Sequence, residues 1–125
     1  MPHDEDIVRL RHMLDFARKA VQFTRGKSRA DLDANEMLAM ATIHSIEILG
    51  EAARPVSPEM RRRYPDVPWE AIAGTRNRLA HGYIDVDLDI IWAIVDIDLP
   101  PLVKHLERML KSEGAYQNPP PAHQA

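Results

Sequence analysis

Cysteine is absent from the 125 residues, and aromatic side chains are few, with two Trp, three Tyr and two Phe. The lack of cysteine excludes disulfide bonds, thiolate metal sites and a cysteine nucleophile, and it is typical of a cytosolic protein. The core must therefore consist mainly of aliphatic side chains and alanine. Glycine is also scarce, with five residues, and the sequence has no alternating runs of Val, Ile or Thr. Both features favour helices over a sheet.

Long apolar runs and a basic leader are missing as well. No run approaches the ~20 apolar residues that span a bilayer, and the first residues, MPHDEDIVRL, are acidic where a signal peptide is basic. We therefore expect a cytoplasmic protein with no membrane contact. The formal net charge of −3 gives no overall attraction to nucleic acid, so RNA binding requires a local basic cluster. Arg61, Arg62 and Arg63 form one candidate cluster, although a solvated helix face explains such a run equally well.

Apolar residues recur at steps of three and four, which predicts an all-α domain of four to five helices. The first helix starts near Asp4 and stops at Gly26, residues 26–35 form a polar connection, and the second helix runs over about 33–53. A short helical turn over 58–64 fits between prolines. A third helix starts at Pro68 and ends at Gly82. The fourth starts around Asp85 to Asp87, and Asp98 caps its continuation.

The second helix has an unusually wide apolar surface. Its polar positions form one narrow stripe, consisting of Glu36, His44, Glu47 and Glu51 with Met40 among them. A helix that is apolar over so wide an arc is usually covered on two sides. In so short a chain the second cover could be another copy of the protein, so we predict a homodimer. The helical domain is predicted to span residues 1–113, and the proline-rich residues 114–125 are predicted to be disordered.

Two patterns resemble metal-binding sites but lack residues that such sites require. Asp85, Asp87 and Asp89 look like the start of a calcium loop, but Ile90 replaces the glycine that such a loop requires, and helix capping by acids explains them better. His44 and Glu47 lie one helical turn apart without a third or fourth ligand. We therefore expect neither a metal nor a cofactor.

The densest group of polar chemistry is the stretch RNRLAHGYIDVD, from Arg76 to Asp87. His81 titrates near neutral pH and can move a proton, whereas Arg76 is a permanent cation that can hold a phosphate through two hydrogen bonds. Together they provide what RNA cleavage by the 2′-hydroxyl requires, without a metal. Residues five apart on a helix point about 140° apart. Either the long arginine reaches round, or the helix finishes at His81, or a two-fold axis brings two copies of the motif to one cleft. The alternative is structural, because Arg and His near a helix end often bind its last carbonyls.

The segment RNRLAHGY resembles the Arg-x4-His-x-Tyr signature of HepT-like ribonucleases, which are toxins of the HEPN superfamily. The similarity extends over about residues 5–112 and includes the LGEAA end of the second helix, the Pro-Trp entry to the third and the Asp-Leu-Pro of the last.

This resemblance implies an up-and-down helical bundle that dimerises around two facing motifs, and a metal-independent endoribonuclease that acts as the toxin of a toxin–antitoxin system. Arg76 and His81 correspond to the catalytic pair, and Asn77 to the polar residue that follows the arginine. The expected partner is a nucleotidyltransferase antitoxin of the MntA type, which transfers AMP to the tyrosine, here Tyr83. Alternatively, the domain is a non-catalytic partner or substrate-presenting subunit of a nucleotidyltransferase. Arg76 and His81 would then bind the nucleotide or substrate, or have a structural role.

Overall fold

A computed structural model describes residues 2–75 and 86–116 of the chain, and every regular element in these ranges is helical. The all-α prediction is therefore confirmed. The helices are α1 (Pro2–Thr24), α2 (Arg29–Ala34), α3 (Glu36–Ala53), α4 (Pro58–Arg63), α5 (Trp69–Ala73), α6 (Leu88–Ala93), a π-helical segment (Ile94–Asp98) and α7 (Leu99–Ser112). Within the described ranges, no helix is both long and apolar enough to cross a membrane.

The long helices α1, α3 and α7 form the body of the bundle. α1 packs against both of the others, and its apolar stripe is buried, with Leu10 and Ala17 fully covered. Asp6, near the start of α1, accepts hydrogen bonds from Ser57, which follows the end of α3. Arg18, near the other end of α1, pairs with Glu107 of α7 at 2.6 Å. Because α7 reaches the start of α1 only through its last residues, α1 runs antiparallel to both neighbours, as in an up-and-down bundle.

The connection between α1 and α3 differs from the prediction. Gly26 has a φ of 74° and ends the first helix as expected. The polar stretch that follows, however, contains the short helix α2. The Asp31 carboxylate accepts hydrogen bonds from the amide and the hydroxyl of Ser28, at 2.6 Å and 3.1 Å, and these bonds lower the pKa of Asp31. Reciprocal capping therefore supports a helix where polarity alone suggested a loop, and α3 starts only at Glu36.

α3 is the most deeply buried helix, and its predicted polar stripe is the side that faces outward. Glu36, Met40, His44 and Glu51 are exposed, and Glu47 is half-buried. Most of the remaining arc is covered by α1, α2 and α5 of the same chain. Met37, beside the polar stripe, is nevertheless 82% exposed, and Met40 is 59% exposed. The homodimer stays a prediction.

Two of the three consecutive arginines in α4 are committed to contacts within the fold. Arg61 donates to the carbonyls of Ala53, Arg54 and Val56 at 3.0, 2.9 and 3.2 Å, which satisfies the end of α3. Arg63 pairs with Glu113 at 2.9 Å. Arg62 is exposed, so the predicted basic cluster is reduced to one outward-facing cation.

α6 begins where the sequence predicts, and Asp87 accepts a hydrogen bond from the Asp89 amide at 2.8 Å. The expected cap at Asp98 is wrong. Asp98 has helical backbone angles and no capping hydrogen bond from its side chain, because the chain passes from α6 to α7 through a π-helical segment. In that segment the Leu99 amide donates to the Ile94 carbonyl, five residues back. Pro100 and Pro101 lack the amide hydrogens that an α-helix would use here, so the wider turn accommodates them.

The end of α7 is fixed to the start of the chain. Glu113, whose side chain is 8% exposed, accepts hydrogen bonds from Tyr64, His3 and Arg63. Gly114 then adopts a φ of 73°, and the Ala115 amide returns to the Leu110 carbonyl at 2.7 Å. The predicted domain boundary at residue 113 stays a prediction, since residues 117–125 lie outside the described residues.

Candidate active site

All four residues of the predicted site, Arg76, Asn77, His81 and Tyr83, lie within residues 76–85, outside the described residues. The structure therefore defines the surroundings of the site through its two flanks. Thr75 directly precedes Arg76 at the end of α5, and Val86 precedes α6 on the other side. The contacts of Thr75 and Val86 therefore determine where the chain enters and leaves the motif.

The entry to the motif is buried. Thr75 is 6% exposed, and its hydroxyl donates to the Ala71 carbonyl at 3.0 Å. The predicted helix from Pro68 to Gly82 is interrupted, because α5 ends at Ala73 and Gly74 forms its C-terminal cap. The Gly74 amide donates to the Glu70 carbonyl at 2.8 Å. The Thr75 side chain thus ties this residue to the last turn of α5, immediately before Arg76.

A close contact between α3 and the α5 backbone also fixes the position of Thr75. A Cβ atom added to Gly50 would lie 3.0 Å from the Ile72 carbonyl oxygen and 3.7 Å from Cβ of Thr75. No side chain other than hydrogen fits at this crossing without movement of the α5 backbone. Gly50 lies in the LGEAA end of the second helix, and no role was predicted for it. The available signal was a glycine inside an otherwise Ala- and Leu-rich helix, which often marks close backbone contact.

The exit from the motif is anchored by α6. Val86 packs against the core, and α6 contacts α2 and α3. Arg29 of α2 donates to Asp89 at 2.7 Å and to Asp33 at 2.9 Å, so one arginine ties α6 to α2. Hydrogen bonding to Asp89 raises the pKa of Arg29.

A pocket of about 470 Å³ opens beside Thr75. Its walls come from α3, α5, the π-helical segment and α7, and its floor is aliphatic. Three ionisable side chains line it, namely Asp66, Asp98 and His105. Arg108 donates to Nδ1 of His105 at 3.0 Å. Because arginine is only a donor, Nδ1 must accept, so in the neutral imidazole the proton resides on Nε2. The described residues that line the pocket therefore include two carboxylates and one imidazole, and none of them is a lysine or an arginine.

The described residues contain no group of three or more His, Asp or Glu side chains that could hold a metal ion. His44 is exposed and Glu47 is half-buried on the outer side of α3, which agrees with the interpretation of that pair as part of a polar stripe.

Residues 13–109 match the family described as Ribonuclease HepT-like, and this range includes the whole Arg76–Tyr83 segment. A candidate RNase from Methanocaldococcus jannaschii is 35% identical over 95 residues, which cover 76% of this chain and 87% of the relative. A candidate RNase from Caldanaerobacter subterraneus subsp. tengcongensis is 34% identical over 104 residues, covering 83% and 93%. A protein named as a candidate ribonuclease HepT, from Thermococcus cleftensis, is 32% identical over 90 residues, covering 72% and 82%. No solved structure matches the chain. With a family match that extends over most of its length, this chain belongs to the HepT-like ribonucleases.

Proposed function

We propose that this protein is a metal-independent endoribonuclease in which Arg76 and His81 carry out the reaction. The observation that supports this most is the family match over residues 13–109, which includes an intact Arg-x4-His-x-Tyr segment. A proton carrier and a phosphate-binding cation, five residues apart in sequence, suit transfer of a phosphoryl group to the neighbouring 2′-hydroxyl.

In the proposed reaction, His81 removes the proton from the 2′-hydroxyl, and the resulting oxygen attacks the adjacent phosphorus. Arg76 stabilises the negative charge that develops on the phosphoryl oxygens. The bond to the 5′-oxygen breaks, and that oxygen takes up a proton. The products are a 2′,3′-cyclic phosphate and a 5′-hydroxyl. Asn77 supports the site as a hydrogen-bonding residue next to the arginine.

We further propose that the active form is a homodimer. Arg76 and His81 of one copy point in different directions if they occupy one helix. A two-fold axis near the motif would place Arg76 of one copy beside His81 of the other. Sedimentation at micromolar concentration tests this arrangement, since an active monomer would rule out the shared cleft.

Cleavage of RNA in the presence of EDTA is the direct test of the reaction. The wild-type protein should cut RNA and leave cyclic phosphate ends, whereas His81→Ala and Arg76→Ala should each lose activity while keeping the helical circular dichroism spectrum. A strict requirement for magnesium, or full activity of His81→Ala, would contradict the mechanism. If no variant and no wild-type sample cleaves RNA but the protein binds a nucleotidyltransferase, the domain is instead a non-catalytic partner.

The cellular role we propose is that of a toxin, expected in the cytoplasm and controlled by a nucleotidyltransferase antitoxin of the MntA type. That enzyme would transfer AMP from ATP to the Tyr83 hydroxyl and release pyrophosphate. The added phosphate would compete with RNA for Arg76, and the added nucleoside would obstruct the cleft. The Tyr83→Phe variant should cut RNA normally and escape inhibition by the partner with ATP. Absence of a mass increase on Tyr83 in the co-expressed pair would leave steric masking as the means of inhibition.

A further inference from the structure

We propose that the pocket beside Thr75 binds a nucleobase of the RNA next to the scissile phosphate, and that it selects bases with an exocyclic amino group. This proposal rests on the proposed ribonuclease function, and it assigns a substrate preference to the same site. The described residues that line the pocket include Thr75, which one peptide bond joins to Arg76.

The position of the pocket relates it to the substrate. Consecutive Cα atoms lie about 3.8 Å apart, so Arg76 starts within one residue of the pocket wall. An arginine that holds a phosphate brings the sugars and bases on either side of that phosphate close to its own backbone. The pocket beside Thr75 is therefore within reach of a base that flanks the cleavage point.

The lining of the pocket selects a base over a phosphate. Two carboxylates, Asp66 and Asp98, line it, and no lysine or arginine is among its described lining residues. A phosphate would be repelled by these carboxylates, whereas a flat and uncharged ring gains from the aliphatic floor that includes Ile46, Leu49 and Ile72. Its volume of about 470 Å³ falls within the usual range for sites that bind small molecules.

The polar groups at the pocket then distinguish between bases. Carboxylates accept hydrogen bonds and do not donate them. Adenine, cytosine and guanine each present an exocyclic amino group to such an acceptor. Uracil has no amino group, and its one edge donor, N3–H, lies between two carbonyl oxygens that a carboxylate repels. A hydrogen bond to a charged group contributes enough for a preference of about tenfold or more over uracil at this position.

The test uses DNA oligonucleotides that carry a single ribonucleotide, so that cleavage is possible at one phosphate only. The bases on the two sides of that phosphate are varied in turn among A, C, G and U, and A is also replaced by purine lacking the amino group. We expect a preference of about tenfold or more in kcat/KM for an amino-bearing base at one of the two positions. Loss of the amino group alone should reduce the rate to the level of uracil.

The variants use an exposed residue on the pocket wall, so that folding is preserved. Ala71→Trp places a large side chain in the pocket and should remove the base preference, while cleavage at the uracil level continues. Asp98→Asn should reduce the preference. The matched control is Ala30→Trp, a similarly exposed alanine on α2 that lies outside the pocket lining. This control should keep the wild-type preference.

Binding separates this inference from the catalytic proposal. The His81→Ala protein should bind non-cleavable, all-deoxy oligonucleotides with the same order of base preference, and Ala71→Trp in that background should remove it. Cleavage by the wild-type protein with equal rates for all bases would overturn the inference and leave the ribonuclease proposal intact. Conversely, a base preference in binding without any cleavage would preserve the pocket assignment and refute the catalytic role. A change of oligomeric state in Ala71→Trp, with no change in preference, would show that the pocket is covered by a second copy and would also overturn the inference.

Discussion

Replacing Glu113 with glutamine tests how the two ends of the bundle are joined. The Glu113 carboxylate accepts hydrogen bonds from the Tyr64 hydroxyl at 2.6 Å, from His3 at 2.8 Å and from Arg63 at 2.9 and 3.0 Å. These bonds, that from Tyr64 foremost, lower the pKa of Glu113 from 4.5 to about 2. The carboxylate thus prefers the folded state, in which donors surround it, to the unfolded chain, in which only water does.

The lowered pKa sets both the size and the pH range of the effect. At about 1.4 kcal/mol per pKa unit, the difference between 4.5 and about 2 corresponds to at most about 3.5 kcal/mol of folding stability. Since Arg63 is 44% exposed, solvent screens part of this contribution, and we expect about 2 kcal/mol. Because the folded pKa is the lower one, this stabilisation is fully present above the unfolded pKa of 4.5 and is lost as the pH falls toward 2.

Urea denaturation of the wild-type protein and Glu113→Gln, followed by circular dichroism, measures this contribution. At pH 7 the variant should be less stable by about 2 kcal/mol. The difference should shrink between pH 5 and pH 3, because the wild-type carboxylate begins to lose its advantage there. Glu59→Gln is the matched control: Glu59 also approaches Arg63, at 3.5 Å, but is 76% exposed, so its loss should cost at most about 0.5 kcal/mol. An equal difference at pH 3 and pH 7, or equal stability of the two variants, would refute this reasoning.

Three further substitutions test the packing around the site. Gly50→Ala should destabilise the protein by about 1–3 kcal/mol in urea, because the new methyl group meets the Ile72 carbonyl at 3.0 Å. In a helix with open space at this position, alanine would instead stabilise the protein. A more stable variant would therefore disprove the close contact. Arg61→Lys should cost about 1–3 kcal/mol, because the single ammonium nitrogen of lysine cannot reproduce the spacing of the Arg61 Nε and Nη2 donors. Arg62→Lys should change stability little. Similar losses in the two would contradict the capping role. Leu106→Ala should lower the free energy of unfolding by about 2–5 kcal/mol, because this side chain is fully buried; a smaller loss would imply local collapse around it.

Helix periodicity predicted the body of the bundle because apolar stripes are a local signal. The buried residues Leu10 and Leu14 in α1, and Leu102 and Leu106 in α7, occupy the predicted stripes. Capping residues predicted helix starts less reliably, since a side chain can cap only where the backbone leaves the helix. Asp87 caps α6 as predicted, but Asp98 does not cap α7, because the π-helical segment continues the helix through that residue.

Tertiary roles were harder to predict, because they depend on residues that are distant in sequence. Nothing local indicates that Arg61 would cap α3 while its neighbour Arg62 faces outward. Likewise, no pattern in the sequence brings Asp66 and His105 to one pocket, which requires elements far apart in sequence to line the same cavity. The chemistry of the motif could be proposed from Arg76 and His81 themselves, whereas the shape of the surface around them required the fold.

The position of Arg76 depends on how the preceding residue, Thr75, is anchored. Thr75 is held by a hydrogen bond within α5 and by the crossing of α3 at Gly50. Arg76 is the next residue, so a displacement of the α5 backbone at this crossing moves the proposed phosphate-binding cation as well. We therefore expect Gly50→Ala to lower kcat for RNA cleavage beyond what its loss of stability explains, because the protein that remains folded still carries a shifted entry to the motif. Leu106→Ala, with a comparable or larger loss of stability and no contact at this crossing, should keep the kcat of its folded fraction. Equal kcat values for the two variants, after correction for the folded fraction, would show that the α3–α5 crossing supports the fold without positioning Arg76.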